Sequence, residues 1–221
     1  MRNTIRNTLA TCPRGEKFSS GKMSSTGEIF TFIANMFAFQ PTIKYLQVNG
    51  NTVEDIPTNQ IEITGMELQN MERQNMHNLN LSEMLTKPHI IYDTIRRHFQ
   101  QFGPIVPIEI ERSLDESRMI TTPIVLNEML TLPTSHRTYA LYQLVSVICN
   151  VGGHYVAYVA CDEDDHWLFF NDLKPENNRI RSAGKIEDWW TKDIIGYEKK
   201  TPGYGKKTPA THATWLLYVK F

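Results

Sequence analysis

The sequence predicts an α+β fold built mainly on an antiparallel sheet. Three observations carry this. The second half of the chain is a succession of short strand-like runs, among them PIVPIEIERSL (104–114), ALYQLVSVIC (140–149), HYVAYVAC (154–161) and HWLFFND (166–172). The links between them are short, as in antiparallel pairing, where two strands need only a tight turn. Helical signals lie mostly ahead of the strands rather than between them, which is the α+β order.

Taken in order, residues 1–28 are polar and rich in Ser, Thr, Gly and Lys, and read as a flexible lead-in to one domain over 29–221. The run IFTFIANMFAF (29–39) is strongly apolar; a buried strand pair and a short core helix fit it equally. IKYLQV (43–48) and QIEITGM (60–66) read as strands, with Asn49-Gly50 as a turn between them. Residues 67–102 read as helical. Ser82 is the expected cap of a short turn with Leu81, Met84 and Leu85 on one side. A second helix is expected to open at Pro88 and stop before Gly103, with Ile91, Ile95, Phe99 and Phe102 as its core stripe. Strands follow from Ile105 and close with ATWLLYVKF (213–221). A tandem repeat, GYEKKTP (196–202) and GYGKKTP (203–209), reads as a mobile basic surface loop.

Composition narrows the function classes. The 221 residues are 41% hydrophobic and 21% charged, enough for a sizeable core in one large domain or two small ones. Lys plus Arg (23) balances Asp plus Glu (24), so charge gives no argument for nucleic acid or a membrane surface as partner. Cys12, Cys149 and Cys161 are too few for a disulfide framework, which points to an intracellular compartment, cytoplasm or nucleus. The start, MRNTIRNTLATCPRG, lacks the apolar run of a signal peptide, and no window approaches the roughly 20 apolar residues of a membrane span.

Chemistry concentrates in residues 141–172. If the acidic run DEDD (162–165) turns a regular hairpin, Cys161 faces His166 and Val156 faces Asn171. His154 shares the face of Val156, because strand side chains alternate. His154 and Asn171 then lie diagonally on one face, about 7–8 Å apart at the backbone and within side-chain reach. Asp172 points to the other face unless a bulge intervenes. A histidine that draws a proton from a thiol, and an amide that holds its ring, are what a thiol hydrolase needs. Gly152 and Gly153 would let a substrate backbone approach closely. The same pattern also fits a hairpin with a half-buried histidine and no chemistry.

Gly-Gly-His-Tyr-Val-Ala-Tyr-Val (152–159), then Trp167 and Phe170-Asn171-Asp172, resembles the histidine box of the ubiquitin-specific proteases, which are papain-like cysteine peptidases. The strands PIVPIEIERSL, PIVLNEMLTL (123–132), TYALYQLVSVIC (138–149) and ATWLLYVKF follow the same family order, so the resemblance covers about residues 78–221. It implies a papain-like fold, mainly its sheet half (palm and fingers), with the amino-terminal helical lobe reduced or absent. It implies His154 as general base, Asn171 as the residue orienting it, and Asp172 as a second polar partner. Gly152, Gly153 and Tyr155 are the expected substrate-facing residues. The implied reaction is thiol attack on the carbonyl after the last glycine of ubiquitin, with ubiquitin or a ubiquitinated protein as partner and no cofactor.

The sequence departs from the family in four places. The family nucleophile opens a helix in a segment like Gly-x-Thr-Cys-Tyr-x-Asn; here the upstream candidate nucleophile, Cys12 after Thr11, is followed by Pro13-Arg14-Gly15, so it reads rather as a tail cysteine and the chain as truncated or inactive by itself. A catalytically dead ubiquitin-binding or scaffold module is the alternative. The fingers lack the paired Cys-x-x-Cys motifs, so no structural zinc is implied. A zinc site from Cys149, His154, Cys161 and His166 would have unconventional spacing and divided faces. The loop before the box is short, and most of the helical lobe is missing.

Overall fold

The computed structural model describes residues 42–74, 77–92, 95–113, 119–134, 138–161, 166–171, 173–175, 178–194 and 207–221. The lead-in, the apolar run 29–39, Cys12, Asp172, the acidic turn 162–165 and the repeat up to residue 206 lie outside the described residues. Thr42–Phe221 forms one compact unit.

In chain order its elements are β1 (Ile43–Asn49), β2 (Thr52–Thr58), β3 (Ile61–Ile63), α1 (Gly65–Arg73), β4 (Leu79–Asn80), α2 (Leu81–Thr86), β5 (His89–Tyr92) and β6 (Ile95–Gln101). Next come β7 (Ile105–Ile110), β8 (Ile124–Val125), β9 (Met129–Pro133), β10 (Tyr139–Val151), β11 (His154–Cys161) and β12 (His166–Phe170). Last are β13 (Ile180–Gly184), α3 (Ile186–Trp189), α4 (Pro209–His212) and β14 (Ala213–Lys220). The expected α+β class holds: strands dominate, and the described helices are four short ones.

Two sheets carry the architecture. Sheet A has the order β2-β1-β6-β5. Sheet B has the order β13-β12-β11-β10-β14-β7-β3, with β9 pairing the first half of β10. Pairing is antiparallel except for β3 with β7 and the small β4–β8 ladder, which are parallel. The sequence alternation explains which face of sheet B is buried. Tyr142, Leu144, Val147, Cys149 and Val151 of β10 turn to the core, as do Leu216 and Tyr218 of β14. Bulges between Leu144 and Ser146 and between Ile148 and Cys149 re-phase β10 against β14. Tyr158 of β11 stacks on Trp189 of α3, with ring centroids 4.0 Å apart, which fastens the β11–β12 hairpin to the helix behind it.

The two sheets are pinned by one buried carboxylate. Thr64 caps α1 in a reciprocal box: its hydroxyl accepts from the Glu67 N–H (3.2 Å), and Glu67 Oε2 accepts from the Thr64 N–H (2.8 Å). Glu67 is 1% exposed. Its Oε1 accepts from Arg97 Nη1 at 3.3 Å and lies 3.5 Å from His89 Nε2. Arg97 also donates to the Glu62 carbonyl at 2.9 Å. Arg97 and His89 belong to sheet A, whereas Glu62 lies on a strand of sheet B and Glu67 on the helix that follows it.

That pin explains the main correction to the sequence reading. Residues 89–101 form the β5–β6 hairpin rather than a helix opening at Pro88. Ile91, Ile95, Phe99 and Phe102 fit a helical stripe, but the true period is two, with Arg97 and Phe99 both buried. A charged residue at an inward strand position hides the alternation. A second correction concerns α2: its cap is Asn80, whose Oδ1 accepts from the Glu83 N–H at 3.2 Å, and Ser82 lies inside the helix. Leu81, Met84 and Leu85 are its buried side, as the sequence suggested.

Removing Glu67 strands the Arg97 charge in a dry junction. Glu67→Ala is expected to lower unfolding free energy by about 3–5 kcal/mol, the usual cost of orphaning a buried ion-pair partner. Urea denaturation checks this; a loss below about 1 kcal/mol, the scale of an exposed pair, would show that the carboxylate is not a pin.

Candidate active site

The site starts from a turn. Val151 and His154 pair across a two-residue loop, Gly152-Gly153. Both glycines take positive φ (64° and 82°), as a type I′ hairpin turn requires and a side chain resists. Asn150 Oδ1 accepts from the Gly153 N–H at 3.0 Å and tightens the loop. Both glycines are exposed, and a Cβ on Gly153 would meet nothing within 4 Å, so the turn is open to an approaching chain.

Strand register then sets the histidine. Cys161 lies opposite His166 and Ala157 opposite Phe170, the pairing expected from a four-residue turn. The next step places Asn171 beside Val156, on the face of His154. His154 Nε2 lies 2.9 Å from Asn171 Oδ1. The same oxygen accepts from the Leu173 N–H at 3.1 Å, which identifies it as the carbonyl oxygen of the amide. Nε2 therefore donates, and in the neutral ring Nδ1 carries the lone pair. Asn171 is 1% exposed. Its N–H donates to the Arg179 carbonyl (2.9 Å) and its carbonyl accepts from the Lys174 N–H (3.3 Å). The half-buried histidine thus leans on an anchored amide that adds no charge.

The other expected site residues fall out differently. Asp172 and Cys12 are outside the described residues. Tyr155 is exposed on the opposite face from His154, beside Asn150. Cys149 shares the His154 face but is fully enclosed between Val156 and Ala213. Burial pushes its thiol pKa strongly up, against a smaller opposing pull from Arg112, so it stays a neutral core thiol. Cys161 and His166 lie together on the far face, so these two cysteines and two histidines do not converge on one point.

A buried charged floor behind Cys149 was not foreseen. Arg112 is 4% exposed. Its guanidinium donates to the carbonyls of Ala213 (3.0 Å), Thr122 (2.5 Å), Ala210 (3.2 Å) and Ile120 (3.5 Å). It thereby ties the α4–β14 corner to the 120–122 segment, and Ala213 in turn pairs with Cys149 just ahead of the Gly-Gly turn. Burial lowers the Arg112 pKa to about 10, which leaves it charged at neutral pH. Beside it, burial first and then the Arg112 and Lys207 charges lower His212 from 6.5 to about 4, so His212 is neutral. The sequence signal for this floor was the late arginine of PIVPIEIERSL; nothing marked His212.

Two outcomes follow. Asn171→Ala should remove the acceptor at Nε2, and 15N NMR should show the Nε2–H tautomer of His154 lose population to the Nδ1–H form; an unchanged tautomer would remove the amide from the site. For His212 the folded pKa lies below the unfolded value, so the unfolded state binds more protons between them. Stability should therefore fall as pH drops from 6.5 towards about 4, and His212→Asn should flatten that dependence in pH-resolved denaturation.

Thirteen-percent-identical solved structures share the fold: the SAGA Ubp8/Sgf11/Sus1/Sgf73 DUB module bound to ubiquitin aldehyde aligns with TM-score 0.59, over 97% of this chain and 52% of that one. A SAGA DUB module with an Ubp8 variant bound to monoubiquitin aligns at 13% identity with TM-score 0.55, over 94% and 50%. A yeast SAGA DUB module aligns at 13% identity with TM-score 0.53, over 90% and 44%. The chain thus spans about half the length of these solved chains. No curated protein sequence matches it. The ubiquitin carboxyl-terminal hydrolase pattern matches residues 16–202, a span that holds the glycine turn, His154 and Asn171, and the chain belongs to that family.

Proposed function

We propose that this chain is a deubiquitinase-family domain in which His154 is the general base and Asn171 its positioning partner, and that it binds ubiquitin without turning it over by itself. The observation that carries the reading is the Nε2–Asn171 bond, with the Leu173 N–H fixing which amide atom faces the ring. In the family reaction a thiol yields its proton to the imidazole, and the thiolate attacks the carbonyl after the last glycine of ubiquitin. The imidazolium then returns the proton to the leaving amine, and water releases the acyl group. His154 Nδ1 is the atom suited to accept that first proton. The solved relatives that bind ubiquitin or its aldehyde support ubiquitin as the ligand.

The thiol is the weak link. Cys149 is enclosed and protonated, and Cys161 lies on the other face. Cys12 stands in a Pro-Arg-Gly context with no helix signal to lower its pKa. The proposed domain is active only when another segment or chain supplies the cysteine, and otherwise serves as a ubiquitin-binding scaffold. The free thiols Cys149 and Cys161 favour an intracellular setting, cytoplasm or nucleus. Among the described residues no helix is long and apolar enough to cross a membrane.

Ubiquitin vinyl sulfone and monoubiquitin test the proposal on the intact chain. The expected result is saturable monoubiquitin binding by interferometry with no covalent adduct by mass spectrometry. An adduct abolished by Cys12→Ala would overturn the inactive reading, and absence of both adduct and binding would overturn the ubiquitin reading.

A further inference from the structure

The outer edge of sheet B points to a second interaction. β13 is the last strand of that sheet, and among the described residues no strand pairs with its outer side. The Asn171 N–H donates to the Arg179 carbonyl, which sets the phase of the ladder. Phe169 with Arg181 is then the next hydrogen-bonded pair, and Phe170 with Ile180 a non-bonded one. The backbone N–H and C=O groups of Ile180 and Ser182 therefore aim away from β12, toward the open side.

The side chains beside that row follow a period of two. Arg181 is exposed and shares the face of Phe169. On the other face, Ile180 (61% exposed) lies against Phe170 (42% exposed). Protected edges look different: β2 of sheet A carries Glu54, Asp55 and Pro57 in TVEDIPT. An edge blunted only against aggregation has no use for an exposed Ile–Phe pair.

We infer that β13 is a docking edge for an extended acidic segment of another protein, which adds to sheet B as a further strand. Main-chain bonds to Ile180 and Ser182 hold it, and alternation selects its chemistry. Acidic residues fall beside Arg181, and apolar ones beside Ile180 and Phe170. A second copy of this chain is a poor occupant, because β13 against β13 brings the same cations together. The first link of this edge is Asn171 itself, so an added strand would also steady the amide that holds His154. The docking does not depend on the reaction proposed above.

The test uses the full chain and an acetylated, amidated (Glu-Val)4 peptide, with (Lys-Val)4 as control. NMR amide exchange should slow at Ile180 and Ser182 on adding the acidic peptide and stay unchanged at Arg181. Ser182→Pro removes an outward N–H and the hydroxyl bonded to His166 but no ladder bond to β12, so the fold should survive, as far-ultraviolet circular dichroism checks. Ser182→Pro and Arg181→Glu should each weaken binding about tenfold or more, and Ser182→Ala, which loses only the hydroxyl bonded to His166, should not. Equal binding of the basic peptide, full binding by folded Ser182→Pro, or no slowing at Ile180 and Ser182 would each overturn the inference. Concentration-dependent dimerisation abolished by Ser182→Pro would overturn it in favour of a second copy.

Discussion

The hydrogen bond between His154 and Asn171 rests on strand register, and the register rests on a two-residue turn that only glycines satisfy without strain. Val151 pairs with His154 because Gly152 and Gly153 both adopt positive φ. A slip of one residue anywhere between β10 and β12 would send His154 to the far face and leave Asn171 buried without the ring. Three further devices hold the register: the Asn150 side chain on the turn, the Tyr158–Trp189 stack behind the hairpin, and the backbone bonds that anchor Asn171.

Two buried charges organise the rest. Glu67 gathers a helix cap and the Arg97 cation of the neighbouring sheet, so its desolvation is offset by several hydrogen bonds at once. Arg112 is paired with backbone carbonyls instead, at a corner where a short helix and a loop leave acceptors unused. The planar five-donor guanidinium suits this task, because it reaches carbonyls on separate segments from one position. Together they hold the sheet junction and the α4–β14 corner, and the strands between need only their apolar faces.

The helical expectation for 89–101 failed for an instructive reason. Arg97 occupies an inward strand position because its partners, Glu67 and the Glu62 carbonyl, come from α1 and from a strand of the other sheet. Local periodicity counts such an arginine as a surface residue. β2 and β13 were also not read from the sequence, since TVEDIPT and IRSAG are largely exposed strands with little buried alternation. By contrast HYVAYVAC and ATWLLYVKF were legible almost to the residue, because one face of each is packed and the other is not.

The sequence by itself determined the class of fold, the pairing of Cys161 with His166 and the face shared by His154 and Asn171. Those follow from period-two alternation and a turn of countable length, both local properties. Tertiary structure alone decided which nitrogen of His154 carries the proton, because that depends on the Leu173 N–H claiming the same oxygen. It also decided that Cys149 is a sealed core thiol, that Arg112 lies beside it, and that β13 is the outermost described strand of its sheet. Each of these is set by groups distant in the chain, and burial and dielectric are properties of the whole packing rather than of any segment.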